Sequence, residues 1–72
     1  MAKIGDTLSF ETARIGMICT DIEGDRVVID RITDHKRAEV GIWSGGSFGF
    51  WGDEIRYDEL IFTGVMWSPR PA

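Results

Sequence analysis

The run Arg26-Val27-Val28-Ile29-Asp30-Arg31-Ile32, behind the turn Ile22-Glu23-Gly24-Asp25, restricts the fold more than any other stretch. β-Branched side chains lose rotamer freedom in a helix and fit the pleated surface of a sheet. A glycine between two acids, with apolar flanks, is a hairpin turn. The alternation places Val27, Ile29 and Arg31 on one face and Val28, Asp30 and Ile32 on the other. The same period recurs on both sides. Before the hairpin, Ile15, Met17 and Cys19 share a face, and Gly16 with its β-branched neighbours disfavours a helix. After the polar turn Thr33-Asp34-His35-Lys36-Arg37, the alternation directs Ala38, Val40 and Ile42 inward. These three strands form a meander.

Two further strands are expected at the ends. Gly5-Asp6 is a turn signal, and Leu8 and Phe10 then alternate with Thr7, Ser9 and Glu11. Leu60 to Trp67 reads as a last strand, with Gly64 as a bulge or bend. Asp53 to Leu60 is compatible with extended chain or one helical turn. Residues 1–67 make one domain, and Ser68-Pro69-Arg70-Pro71-Ala72 is a tail whose prolines stop a central strand. The fold class is therefore all-β: a small five- or six-stranded antiparallel barrel or a strongly curved sheet. The opening glycine-aspartate, the charged hairpin and the late strand resemble the strand rhythm of a Src-homology-3-like barrel. That resemblance implies a fold and assigns no residue a role, because the fold hosts many functions.

At 72 residues the core is marginal. Cys19 is the only cysteine and His35 the only histidine, which removes a disulfide and a structural zinc site as staples and leaves self-association. Leu60, Ile61, Phe62, Val65, Met66 and Trp67 are more apolar surface than one strand face needs. The first residues lack an apolar leader, and no run reaches membrane-span length, so a reducing cytoplasmic setting is expected. A net charge of −4 argues against direct nucleic-acid binding.

Catalytic and metal signatures are weak. Asp21, Glu23 and Asp25 surround one turn, but Arg26 and Ile32 stand where a calcium loop would need glycine and glutamate. They read as a solvated hairpin tip. His35 reads as an exposed turn histidine, its basic triplet a contact for an acidic partner at most. Cys19 sits among apolar residues, with nothing to stabilise a thiolate. The glycines at 46, 49 and 52 precede Asp53 and Glu54, which would repel phosphate. No enzyme activity and no cofactor are expected.

The functional signal is the stretch Trp43-Ser44-Gly45-Gly46-Ser47-Phe48-Gly49-Phe50-Trp51-Gly52, read as an aromatic-glycine loop. Adjacent Phe50 and Trp51 cannot both face one core if extended. Trp43, Phe48, Phe50 and Trp51 are candidate binding residues, bordered by an acidic rim of Asp53, Glu54, Asp58 and Glu59 around Arg56. The expected function is a non-enzymatic interaction module or small inhibitor that binds a protein partner through this loop and rim. The alternative is an oligomeric β-barrel that binds a small molecule or nucleotide among the same aromatics.

Overall fold

The β-branched hairpin seeds a sheet that the rest of the chain extends on either side. A computed structural model describes residues 3–67, so the tail 68–72 lies outside the described residues. Strand β1 is Met17–Thr20, β2 Arg26–Ile32, β3 Arg37–Ser44, β4 Ser47–Arg56 and β5 Ile61–Met66, with a 3-10 turn at Tyr57–Glu59 before β5. All five are antiparallel in one sheet of order β4-β3-β2-β1-β5. The protein is all-β, and the sheet is strongly curved and open.

The β1–β2 turn is held as the acids suggest. Asp21 Oδ1 accepts the backbone N–H groups of Glu23 and Asp25, each at 2.9 Å, and Gly24 takes a φ of +86°. A Gly45-Gly46 turn joins β3 to β4. Both glycines adopt positive φ, which lets two residues reverse the chain with the twist of the flanking strands. The aromatic-glycine stretch is thus a hairpin, with Ser44 paired to Ser47 and Trp43 to Phe48. This corrects the reading of it as a loop.

Register shifts decide which side chains reach the core. Between Ile29↔Val40 and Arg31↔Glu39 the pairing slips at Asp30. The extra residue inverts the alternation, so Ile32 follows Ile29 onto the core side and Arg31 stays exposed. A second shift, between Val40↔Asp53 and Ile42↔Gly49, sets Phe50-Trp51-Gly52 against Gly41 alone. A third, between Met17↔Met66 and Cys19↔Phe62, sets residues 63–65 against Ile18; Gly64 adopts a φ of +90° there, and the Thr63 hydroxyl donates to the Ile18 carbonyl at 2.7 Å.

Three expectations about the flanks change. Residues 7–12 form no strand beyond one bridge, Thr7 to Ile61, because a turn at Ser9–Ala13 diverts the chain. Leu8 is buried and Phe10 exposed as a result. Ile15 precedes the strand, separated from Met17 by Gly16 at φ +97°, and is exposed rather than aligned with Met17 and Cys19. Ile42 is also exposed, unlike Ala38 and Val40.

The core face carries Met17, Cys19, Val27, Ile29, Ala38, Val40 and Phe62, and Leu8, Ala13, Tyr57 and Leu60 join the same cluster. The opposite face is also dry at its centre, where Ile18, Val28 and Gly41 lie in one row across three strands. Burial pushes the Cys19 thiol up to about 12. At pH 8 that leaves roughly a thousandfold less thiolate than an ordinary cysteine holds. Native Cys19 is expected to react with a disulfide reagent at least about 100-fold more slowly than in urea. Because the folded value is raised, its contribution to stability is present below the ordinary thiol range and declines as pH climbs toward 12. Rapid labelling of the native chain at neutral pH would contradict this burial.

Candidate functional site

The aromatic residues of the β3–β4 hairpin divide into two pairs. Trp43 and Phe48, opposite one another, share the second face of the sheet with Gly41. A Cβ on Gly41 would run into the Phe48 ring, so only glycine lets that ring lie down over the strand. Trp67, just beyond β5, stacks on Phe48 with ring centroids 4.8 Å apart and planes 12° from parallel. It meets Trp43 edge-on at 6.1 Å. These three rings join the two ends of the curved sheet, and Trp43 and Phe48 are half-buried by that role.

Phe50 and Trp51 belong to the register shift and enter neither core. Phe50 is 75% exposed and Trp51 46%. The Phe50 ring lies beside Gly52, whose φ of +74° and missing side chain allow the approach. Among the acids, Asp53 and Glu54 continue β4 directly from these aromatics and are exposed. Glu54 faces Glu39 across the ladder, a like-charge pair, and the Thr33 hydroxyl lies 3.0 Å from the Arg37 carbonyl and 3.2 Å from Glu54 Oε1, with one proton to share between them. Asp58 and Glu59 lie on the 3-10 turn, and Asp58 is ion-paired to Arg56. The expected rim is therefore split.

Other acids stand beside the tryptophans. In a meander the first and third turns share an end of the sheet, so the β1–β2 tip comes next to the β3–β4 hairpin. A cleft of about 400 Å³ there is lined by Trp43, Trp51 and Ile42 together with Asp21, Glu23 and Asp25. Neither Phe48 nor Phe50 lines it, so the four candidate aromatics do not form one pocket. The hairpin acids are a solvated tip, as the sequence suggests, with Glu23 and Asp25 exposed; the strand order sets that tip beside the tryptophans.

The basic turn takes part in a second cleft, of about 560 Å³, with Phe10, His35, Lys36, Arg37, Arg56 and Tyr57 on its walls. The Phe10 and His35 rings lie 4.4 Å apart, and the Tyr57 hydroxyl donates to the Asp34 carbonyl at 3.0 Å. Asp34 Oδ1 accepts the N–H groups of Lys36 and Arg37, each at 2.8 Å. Those two hydrogen bonds hold the Asp34 carboxyl below the usual carboxylate range. His35 packs against the Phe10 ring here, and Ser9, Glu11 and Asp58 also line the walls.

Comparison with known protein families, with curated proteins and with solved structures gave no match. Among the described residues, no helix is long and apolar enough to cross a membrane.

Proposed function

We propose that the protein is a non-enzymatic interaction module that docks on a protein partner through Phe50 and Trp51, bordered by Asp53 and Glu54. The observation that carries this reading is the exposure of two adjacent aromatics on a strand, at a register shift that keeps both out of the core. Large aromatic side chains dominate protein interfaces because they bury much area at small entropic cost. The strand beneath them is hydrogen-bonded to β3 on both sides of the shift, so the anchors are presented by a fixed element. The acidic border favours a partner with a basic rim, as a small inhibitor of a basic groove would require. A reducing cytoplasm suits the reading, since the one thiol is buried and unpaired. The Src-homology-3-like architecture stands as a proposal supported by five short antiparallel strands in one curved sheet.

The test is affinity capture from the source cells with the wild-type chain and with a Phe50→Ser/Trp51→Ser double variant of unchanged thermal midpoint. A stoichiometric protein retained by the first and lost by the second is expected. Equal retention by both would overturn the docking face.

We also propose self-association through β5. Its outward residues Ile61, Val65 and Met66 are about half exposed, whereas Leu60 and Phe62 are used in the core. Sedimentation at high micromolar concentration is expected to show a species heavier than the monomer, and a clean monomer would remove the proposal.

A further inference from the structure

We infer that the cleft between the β1–β2 tip and the β3–β4 hairpin receives a cationic side chain of the partner, arginine in preference to lysine. The inference rests on the docking reading for the owner of that side chain, and it names the chemistry the site selects. Three observations carry it. Two tryptophans line the cleft, and indole faces attract cations more strongly than other rings do. Three carboxylates line the same cleft against one cation, Arg26, so the local field favours positive charge.

Two of the three acids are also unspent. Asp21 is committed to its own turn, where its Oδ1 takes two backbone N–H groups. The side chains of Glu23 and Asp25 make no ion pair among the described residues, nor does Arg26; the one salt bridge there joins Arg56 to Asp58. A volume of about 400 Å³ accommodates a guanidinium and its stem. Guanidinium is planar and weakly hydrated, stacks on indole and binds carboxylate in a fork, which sets arginine ahead of lysine. Ile42, exposed at the cleft wall, offers the methylene stem an apolar surface.

The experiment titrates the ¹⁵N-labelled chain with a capped tri-arginine peptide and reads the indole Nε1–H signals. Saturable shifts of the Trp43 and Trp51 signals are expected. A Glu23→Gln/Asp25→Asn variant leaves the Asp21 turn intact and is expected to bind at least tenfold more weakly at an unchanged thermal midpoint. No saturable shift, an equal response in that variant, or an equal response to a capped tri-glutamate peptide would overturn the inference. The titration contains no partner, so the two proposals fail separately. Capture that depends on Phe50 and Trp51 without a tri-arginine response sinks the cation site alone. A tri-arginine response without any captured protein sinks the docking reading alone.

Discussion

Ile29→Ala is expected to lower the free energy of unfolding by roughly 2–5 kcal/mol, the cost of truncating a buried aliphatic side chain. Ile29 has no accessible surface. It sits on β2, which is paired on both sides, and it belongs to the cluster that includes Cys19, Val40, Tyr57 and Leu60. Its backbone is tied as well, because the Ile29 carbonyl accepts the Gly16 N–H at 2.8 Å. Strands fixed in this way cannot collapse into the space a truncation leaves, so the cavity term is felt in full. A small domain holds about 5–15 kcal/mol in total, and the loss is a large share of that. A chemical denaturation midpoint that falls at unchanged slope would show it. A shift under about 0.5 kcal/mol, the size of an ordinary surface change, would contradict the assigned core.

The hairpin aromatics give the second large effect, and here the expected losses differ in kind. Trp51→Ala is expected to lower partner affinity at least tenfold, about 1.4 kcal/mol, and toward 2 kcal/mol if Trp51 is a central anchor. Its effect on stability is expected to stay below about 1 kcal/mol, because nearly half of the side chain is already in water. Phe48→Ala is expected to do the reverse. It removes the ring that covers Gly41 and stacks on Trp67, at a cost of roughly 2–3 kcal/mol, below the full value for a wholly buried phenylalanine. Denaturant midpoints and binding isotherms on the two variants, measured together, separate the roles. A Trp51→Ala chain that unfolds, or a Phe48→Ala chain that is stable and fails to bind, would exchange them.

The sheet was legible because β-branched alternation between Val27 and Ile42 has few other solutions. The turn at Gly24 and the strand from Leu60 were legible for local reasons of the same sort. What stayed hidden were the register shifts. Asp30, Gly52 and Gly64 mark them, but a polar residue or glycine inside a strand does not say which neighbours change sides. Ile32 and Arg31 were therefore assigned to each other's faces. Gly45-Gly46 carried a hairpin signal that its aromatic neighbours obscured, and a ten-residue loop was read where two residues turn. Of the candidate site, Phe50 and Trp51 stand out by their adjacency alone. The partnership of Trp43 and Trp51 with Asp21, Glu23 and Asp25 follows from two turns lying at one end of a meander. It is a property of strand order and of no single stretch.

The two outermost strands have a consequence for how anything can attach. Many partners bind a sheet by lending it another strand, backbone to backbone. On β4 an incoming chain would meet an interrupted ladder, since the frame breaks at Phe50-Trp51-Gly52 after only a few residues. On β5 the first half is already occupied: Gly5 N–H and Leu8 N–H donate to the Phe62 and Leu60 carbonyls, and Phe62 N–H donates to the Asp6 carbonyl. The second half is the irregular stretch around Gly64. Such rims resist edge-to-edge growth into fibrils. They also require a visitor to be recognised by the shape and charge of its side chains, so scrambling a partner's sequence should matter more to binding than cyclising or N-methylating its backbone.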